Sequence, residues 1–253
     1  MVKTILITGA TSGIGKALSL EYSAPNIILF LTGRNKENLL EITNLCEKKG
    51  AKVIFKIIDV RESYEMSKWI LEIGEKYSLD LVIANAGISA GTAKGIESEA
   101  QISEIFQTNV DGIFNTINPA IQIMQKQKYG QIALVSSLAG FRGLPSSPAY
   151  SASKAAVRVY GEGLRGCLAN FGIKVNVICP GYVRTPMTAV NKFPMPFIMN
   201  SNKAARIIKI GLEKNKSRIA FPFILYFVVW FLTLLSTKIT DPIFAKLPKK
   251  GAL

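Results

Sequence analysis

Short apolar runs that alternate with helix-length stretches place the strongest constraint on how this chain can fold. Six runs rich in β-branched and aliphatic residues are predicted as strands, at residues 2–8, 26–32, 52–58, 79–84, 131–137 and 173–179. Several are apolar at nearly every position, which is typical of strands that are covered on both faces. Because each run is followed by enough residues for a crossover helix, the pattern predicts an α/β fold with a doubly wound, parallel, Rossmann-like sheet.

The chain is long enough to bury one large core, since it has 253 residues and no Pro/Gly/Ser-rich linker divides it. We therefore predict a single domain. Within it, residues 1–215 form the dinucleotide-binding and catalytic part. Residues 216–253 hold a last strand, an apolar helix and a basic tail, either as part of the same domain or as an appendage that contacts a membrane.

Histidine is absent, and the three cysteines Cys46, Cys167 and Cys179 lie far apart without a C-x-x-C pair. Neither a metal site nor a disulfide framework is predicted from this usage. The N-terminus enters a strand-like run at once and has no apolar segment followed by a small-residue cleavage site. We therefore expect a cytoplasmic protein, with peripheral contact to the cytoplasmic face of a membrane as a further expectation.

A glycine-rich turn follows the first predicted strand and reads Thr-Gly-Ala-Thr-Ser-Gly-Ile-Gly at residues 8–15. Parallel sheets of this type bind ligands beyond the carboxyl ends of their strands. Glycines here allow a tight turn, a pyrophosphate close to the backbone, and a helix over 16–23 whose N-terminus faces the phosphates. The turn predicts a dinucleotide site with contacts from Gly9, Thr11, Ser12, Gly13, Ile14 and Gly15.

Further motifs follow this turn in order: Asp59-Val60, Asn85-Ala86-Gly87, Asn109, Ser137, Tyr150-x-x-x-Lys154 and Pro180-Gly181. With this co-linear set, residues 1–215 resemble a short-chain dehydrogenase/reductase. The resemblance implies an NAD(P)-dependent oxidoreductase. It also implies further cofactor contacts from Asp59, Val60, Asn85, Ala86, Gly87, Tyr150, Lys154, Pro180, Gly181, Val183 and Thr185.

Some of these positions carry a narrower expectation. The resemblance implies that Asp59 accepts a hydrogen bond from the adenine amino group, although a local turn or cap is the alternative. It implies a mostly structural role for Asn85, and contact between the nicotinamide carboxamide and the Val183 and Thr185 positions.

The end of the second predicted strand bears on which cofactor is preferred. Enzymes that prefer NAD usually have an acidic residue there, which binds the ribose 2′-hydroxyl. This chain has Gly33 followed by Arg34, and a guanidinium can hold a 2′-phosphate through two charge-assisted hydrogen bonds. We predict a preference for NADP(H) over NAD(H), with Ser12 as a second contact. The alternative is that Arg34 is only a solvated charge at the start of the next helix.

Tyr150 and Lys154 stand four residues apart and so share one face of a helix. An ammonium beside a phenol favours the phenolate and would bring its pKa toward neutrality. Spacing alone proves little, because Tyr64 and Lys68 repeat it. Only Tyr150 follows a serine at a predicted strand end, Ser137. We therefore predict Tyr150 as the general acid/base and Tyr64 as an ordinary helix residue.

The remaining catalytic roles are assigned around Tyr150. Ser137 is predicted to hydrogen-bond and polarise the substrate oxygen, with Ser136 as the alternative. The resemblance implies that Lys154 also bonds the nicotinamide ribose and that Asn109 holds a water linking Lys154 to solvent. An ordinary helix-interior asparagine is the alternative for Asn109.

Residues 186–200 occupy the place where the family carries its substrate-covering segment, and they are rich in large apolar side chains. These are expected to line an adaptable pocket for a lipophilic carbonyl or alcohol, with packing onto the sheet as the alternative. They are Met187, Phe193, Met195, Phe197, Ile198 and Met199. Steroid, retinoid, 3-oxoacyl and sphingoid ketones are not distinguished by the sequence.

The C-terminal segment departs from the family pattern. Residues 218–222 are a candidate seventh strand, and residues 223–235, from Phe223 to Leu235, are apolar on every side. As a helix they reach about 20 Å, short of a bilayer core of about 30 Å, so a membrane span is the least favoured interpretation. Shallow insertion is favoured, with Tyr226 and Trp230 at the interface. Burial in a homodimer or against the core is the other alternative.

Charge agrees with a lipid contact at this end. The net charge is +14, and residues 201–253 hold ten basic residues against two acidic ones. Lysines are expected to meet anionic lipid at Lys238, Lys246, Lys249 and Lys250. A nucleic-acid-binding protein is not predicted, because the basic excess accompanies an apolar helix and lacks interleaved aromatic and basic residues. A catalytically silent cofactor-binding regulator or membrane scaffold with the same fold is the alternative function.

Overall fold

The computed structural model describes residues 3–92, 95–246, 248, 250 and 251. It is a single α/β domain around a parallel seven-stranded sheet with strand order β3-β2-β1-β4-β5-β6-β9, while β7 and β8 form a separate small pair. The strands are β1 (Lys3–Thr8), β2 (Ile27–Gly33), β3 (Lys52–Ile57), β4 (Leu81–Ala84), β5 (Gly130–Val135), β6 (Ile173–Pro180), β7 (Val183–Arg184), β8 (Met199–Asn200) and β9 (Arg218–Phe221).

Helices connect the strands and cover both faces of the sheet. The α-helices are α1 (Gly13–Tyr22), α2 (Lys36–Glu47), α3 (Ser63–Lys76), α4 (Glu99–Phe106), α5 (Gly112–Gln127), α6 (Pro148–Leu168), α7 (Pro186–Ala189), α8 (Ser201–Glu213), α9 (Phe223–Thr233) and α10 (Thr237–Phe244). A π-helical turn, Gln107–Asp111, joins α4 to α5, and short 3₁₀ turns occur at Leu138–Gly140 and Ala169–Phe171.

The central strands have a core on each face, which explains their nearly continuous apolar sequence. In β1, Ile5 and Ile7 pack into the cluster under α1, α2 and α8, whereas Leu6 packs into the cluster under α3, α5 and α6. All three side chains are fully buried. Since neighbouring residues of a strand point to opposite faces, a sheet covered twice needs apolar residues at every position.

All six predicted strands are present, with boundaries that shift by one or two residues. The shift is clearest at β4, which begins at Leu81, two residues after the predicted start. The Leu79 amide donates to the Gln127 side chain, and an Asp80 carboxylate oxygen accepts from the Thr4 amide. Val2, in the first predicted strand, lies outside the described residues.

The candidate seventh strand is confirmed as β9, which pairs in parallel with β6. The apolar segment after it forms α9, which ends two residues before the predicted limit. Leu225 and Tyr226 turn inward, where Tyr226 meets Phe141 edge to face with ring centroids 5.6 Å apart. Within the described residues, none of the helices is both long enough and apolar enough to cross a bilayer.

Candidate active site

A cleft of about 260 Å³ opens where the strand order reverses, between the carboxyl ends of β1 and β4. Nearly all of the predicted site residues line it. They are Gly9, Thr11, Ser12, Gly13, Ile14, Arg34, Asp59, Val60, Asn85, Ala86, Gly87, Ser137, Tyr150, Lys154, Pro180, Gly181, Val183 and Thr185. Gly15 and Asn109 do not line the wall and instead support it from behind.

The glycine-rich turn is a cradle that side chains would fill. Gly9 has a φ of +65°, and a Cβ added there would lie 2.9 Å from Cα of Ala86. A Cβ on Gly15 would lie 2.1 Å from the carbonyl oxygen of Gly9. With α1 starting at Gly13, its free amides face the cleft, so the residues present fit a dinucleotide pyrophosphate.

Thr8 and Asn85 hold the ends of β1 and β4 together beneath this cradle. The Asn85 amide donates to Oγ1 of Thr8 at 3.0 Å, and Nδ2 of Asn85 donates to the Thr8 carbonyl at 2.9 Å. These bonds agree with a structural role for Asn85. Sequence reasoning missed Thr8, whose position as the last residue of a strand before a glycine turn was the available signal.

The far end of the cleft is electropositive around one carboxylate. Asp59 accepts two hydrogen bonds from the Arg61 guanidinium, at 2.7 and 3.0 Å, and Nη1 of Arg34 lies 3.7 Å from the same carboxylate. Burial raises the pKa of Asp59, but the bonds from Arg61 and the charge of Arg34 outweigh it and leave the pKa below its ordinary value. Arg61, two residues after Asp59 in the chain, was not predicted as a site residue.

Ser137 and Tyr150 meet at the inner end of the cleft. Ser137 follows β5, and its Oγ accepts from the Ala139 amide at 3.1 Å and donates to the Pro180 carbonyl at 3.4 Å. Burial raises the pKa of the Tyr150 phenol, while a hydrogen bond with the Ser137 side chain lowers it. Oγ of Ser136 donates instead to the Lys154 carbonyl at 2.6 Å, so that hydroxyl serves the helix backbone.

Lys154 reaches the same place from the next turn of α6. Its Nζ donates to the Val135 carbonyl at 3.0 Å and lies 5.9 Å from the centre of the Tyr150 ring. Burial lowers the pKa of Lys154 to about 8. The sequence predicts that this ammonium lowers the pKa of the phenol. In the structure the pKa of Tyr150 is raised instead, because burial removes the phenol itself from water.

The second Y-x-x-x-K pair has almost the same internal geometry and a different environment. Nζ of Lys68 lies 6.0 Å from the centre of the Tyr64 ring on α3. Tyr64 is 74% exposed and Lys68 is exposed, whereas Lys154 is 4% exposed. Burial and neighbours therefore distinguish the two pairs, and their spacing does not.

Asn109 sits in the π-helical turn and is fully buried. Its Oδ1 accepts from the Ile88 amide at 2.8 Å, and its Nδ2 donates to the Ile88 carbonyl and to Oγ of Ser153, each at 3.0 Å. The side chain thus ties the loop after β4 to α6. A Cβ on Gly87 would lie 3.0 Å from Oδ1 of Asn109 and 3.2 Å from Nζ of Lys154. Asn109 and Lys154 therefore converge at this glycine.

The covering segment differs from its prediction. Of its six apolar side chains, Met187 lines the cleft. Met199 packs against the core from β8, Phe193 meets Tyr182 edge to face, and Phe197 is exposed. Packing onto the sheet, the alternative interpretation, accounts for Met199.

The basic tail also differs from its prediction. Lys238 and Lys246 are exposed, as a lipid contact requires, and Lys249 lies outside the described residues. Lys250 turns back to the active site instead, where Nζ donates to Oγ of Ser89 at 2.6 Å and lies 5.6 Å from the centre of the Tyr150 ring. Neither Ser89 nor Lys250 was predicted as a site residue, and their sequence separation left no local signal.

Comparisons with known proteins agree with the fold. The family model for short chain dehydrogenases matches residues 3–193. An uncharacterized oxidoreductase of Myxococcus xanthus is 36% identical over 223 residues, covering 87% of this chain and 88% of the relative. A 3beta-hydroxysteroid dehydrogenase of Mediterraneibacter gnavus is 35% identical over 218 residues, covering 79% and 78%.

A solved short chain dehydrogenase/reductase of Burkholderia phymatum, in complex with NAD, has the same fold. It covers 100% of this chain and 98% of its own, with a TM-score of 0.83 and 21% identity. The family match and the two relatives above 30% identity identify the class: the chain belongs to the short-chain dehydrogenase family of oxidoreductases.

Proposed function

We propose that the protein is an NADP(H)-dependent oxidoreductase that interconverts a carbonyl and an alcohol on a lipophilic substrate. The observation that carries the proposal is the meeting of Tyr150, Ser137 and Lys154 at one end of a cleft whose other end fits a dinucleotide. The nicotinamide, when bound, supplies or accepts the hydride at the carbonyl carbon. Tyr150 supplies or accepts the matching proton at the oxygen.

The protein's own groups have distinct tasks in this reaction. In reduction, the Tyr150 hydroxyl gives its proton to the oxygen as the carbonyl becomes an alkoxide, and the phenolate is left. The Ser137 hydroxyl bonds the same oxygen and stabilises its developing charge. The Lys154 ammonium stabilises the phenolate. Because the pKa of Lys154 is about 8, this side chain is charged at neutral pH. In oxidation of an alcohol the proton moves in the opposite direction.

The reaction is tested with a panel of lipophilic ketones, measured as consumption of NADPH. We expect turnover of at least some members, because Met187 makes the reactive end of the cleft partly apolar and one relative is a hydroxysteroid dehydrogenase. Tight NADPH binding without turnover of any ketone or alcohol would favour the alternative, a silent cofactor-binding regulator.

The preference for NADP(H) is supported by the two guanidiniums around Asp59. Arg34 is 58% exposed at its side chain and follows Gly33, where no acidic residue competes for a 2′-hydroxyl. Asp59 is already engaged by Arg61, which leaves Arg34, at 3.7 Å, the more loosely held of the two. Arg34 is therefore available to a 2′-phosphate.

Arg34→Ala is expected to raise the KM for NADPH by about 10- to 100-fold, the loss of a charge-assisted hydrogen-bonded contact. The KM for NADH should change little, because that cofactor lacks the 2′-phosphate. Steady-state kinetics with both cofactors measures the effect, and Arg206→Ala, at an exposed position on α8, is the control. A wild-type protein that prefers NADH would contradict the proposal.

We further propose that α9 rests on the surface of an anionic membrane. The helix and its C-terminal cap, Leu234, carry seven large apolar side chains that the domain leaves exposed: Phe223, Ile224, Phe227, Val228, Trp230, Phe231 and Leu234. On α10, Ile239 and Ile243 are also exposed, and Lys238 on this helix and Lys246 just after it are exposed as well. An apolar face of this extent flanked by lysines matches an acyl boundary beneath anionic headgroups.

Phe227→Asp/Phe231→Asp is expected to reduce flotation of the full-length protein with phosphatidylserine-containing vesicles by at least about tenfold, because two charges would enter the acyl boundary. The control is Val159→Asp/Phe171→Asp, which places the same charges at equally exposed apolar positions outside α9. If α9 lies in a homodimer interface, the first variant would become monomeric with flotation unchanged, and that result would contradict the membrane contact.

A further inference from the structure

Two residues near the C-terminus, Lys250 and Gly251, dock on the loop that follows β4, beside Tyr150. The Gly91 amide donates to the Gly251 carbonyl at 2.7 Å, and Nζ of Lys250 donates to Oγ of Ser89 at 2.6 Å. One bond is made by the tail's backbone and the other by its side chain. The tail is thus attached at two adjacent residues, Lys250 and Gly251, to loop residues that are two positions apart, Ser89 and Gly91.

Gly91 is shaped to receive this tail. A Cβ added to Gly91 would lie 2.5 Å from both Cβ and the carbonyl oxygen of Lys250, so only glycine allows the approach. The loop is fixed from its other side, because Nε2 of Gln101 donates to the Gly91 carbonyl at 3.1 Å and Asn109 holds both backbone groups of Ile88. Lys250 therefore docks against a supported surface.

This docking brings a second ammonium to the catalytic tyrosine. Nζ of Lys250 lies 5.6 Å from the centre of the Tyr150 ring, and Nζ of Lys154 lies 5.9 Å from it. The two lysines are not equivalent. Lys154 is anchored to the Val135 carbonyl and lines the cofactor cleft, whereas Lys250 comes from the tail and bonds the loop after β4.

Lys250 has no acidic partner among the described residues, whose ion pairs all involve other groups. Burial alone lowers its pKa to about 8, which leaves the side chain charged at neutral pH. An ammonium has three donors, and its hydrogen bond to Ser89 uses one. A partly buried cation without a counter-ion is costly unless an anion completes it.

We propose that Lys250 and Ser89 bind a carboxylate of the substrate, so that the site selects an oxo acid or hydroxy acid with an apolar chain over its neutral analogue. This inference rests on the proposed oxidoreductase function. Lys250 offers one positive charge, and Ser89, which accepts from Nζ, keeps its own hydroxyl hydrogen to donate. One charge and one hydroxyl match the single charge of a carboxylate better than the double charge of a phosphate ester.

The test compares short- and medium-chain oxo acids with their primary amides, which have nearly the same shape and no charge. In the wild-type protein we expect kcat/KM to favour the acid by about 10- to 100-fold, the range of a hydrogen bond to a charged group. Lys250→Met should bring the ratio close to unity, and Lys250→Arg should retain a preference. Lys246→Met, which removes an exposed charge from the same tail, should leave the ratio unchanged.

The two proposals fail in different ways. Turnover of the amides reports on the oxidoreductase function alone, because an amide has no charge for Lys250 to bind. Equal kcat/KM for acid and amide in the wild-type protein therefore overturns the carboxylate site and leaves the oxidoreductase function standing. A uniform loss of kcat on acids and amides in Lys250→Met, with the ratio kept, would mean that Lys250 acts on Tyr150 and would also overturn it.

Binding gives a readout that needs no turnover. A saturated fatty acid and its amide are titrated into the full-length protein in a calorimeter, in the presence of NADP. Tighter binding of the acid to wild type, lost in Lys250→Met, supports the carboxylate site even where no ketone is reduced. Equal binding of acid and amide to the wild-type protein contradicts it.

Discussion

Replacing Tyr150 with phenylalanine is expected to lower kcat by about 10²- to 10⁴-fold, the usual contribution of a positioned general acid. The variant removes one hydroxyl and keeps the ring, so packing around it is preserved. Burial raises the pKa of the wild-type phenol and so keeps its proton in place until the phenolate is stabilised. A hydrogen bond with the Ser137 side chain orients the phenol. The affinity for NADPH should be unchanged within about twofold, since the phosphate cradle lies at the other end of the cleft.

Tyr64→Phe is the matched control for this experiment. It makes the same chemical change in a pair with the same spacing and nearly the same distance to its lysine, at an exposed position on α3. Its kcat should equal that of the wild-type protein. If Tyr150→Phe also turned over at the wild-type rate with NADPH still bound, another group would have to supply the proton, and the mechanism would be wrong.

The two Y-x-x-x-K pairs show what spacing can and cannot predict. A distance of four residues fixes the relation between Tyr150 and Lys154, because both lie on one helix. It gives the same result for Tyr64 and Lys68. What distinguishes them is the serine at the end of β5 and the burial that the sheet imposes. The first is readable from sequence, since Ser137 precedes Tyr150 by a countable interval, whereas the second depends on the assembled fold.

The strands and the cofactor cradle could be predicted because their causes are local. An apolar run followed by glycines and a helix specifies β1 and its turn within a few residues. The strand order that brings β1 beside β4 also follows from general rules for parallel sheets. Some of the contacts that were missed are long-range, such as that between Lys250 and Ser89, which are 161 residues apart in sequence.

The electrostatic balance at Tyr150 was also beyond the sequence. A lysine four residues away predicts a lowered phenol pKa, but the sign of the net shift depends on how far both groups are removed from water. In the structure, burial raises the pKa of Tyr150 and lowers that of Lys154. Both shifts disfavour charge, so bound cofactor and substrate must supply the interactions that allow proton transfer.

The π-helical turn at Asn109 is a related case. Its sequence, Gln-Thr-Asn-Val-Asp, gives no sign that one extra residue is accommodated there, and such turns often occur at functional sites. The turn lets the Asn109 side chain bond both backbone groups of Ile88, which fixes the loop that receives the tail. The support of the active site and the docking of Lys250 therefore share one element.

Lys154→Met is expected to abolish most activity, by about 10²-fold or more, and to change how stability depends on pH. In the folded wild-type protein Lys154 is charged only below its pKa of about 8, because burial disfavours the charged form. In the unfolded chain lysine keeps its proton up to about pH 10.4. Between these values the unfolded state binds more protons, so this group makes the free energy of unfolding increase as the pH rises.

Methionine removes that dependence while filling a similar volume. The free energy of unfolding of the wild-type protein, relative to Lys154→Met, should therefore increase by roughly 3 kcal/mol between about pH 7 and pH 10.4, at about 1.4 kcal/mol for each pKa unit. Denaturant unfolding at several pH values measures this difference. Groups with shifted pKa values that do not interact with Lys154, such as Tyr22, affect both proteins alike and cancel.

Lys68→Met provides the control, because it removes an exposed lysine with the same relation to a tyrosine. It should change neither activity nor the dependence of stability on pH. A Lys154→Met protein whose stability follows the wild-type profile at every pH would show that Lys154 is not desolvated in the folded state. The same side chain could then not be the buried cation on which the catalytic role depends, since its charge would be screened by water rather than directed at the phenol.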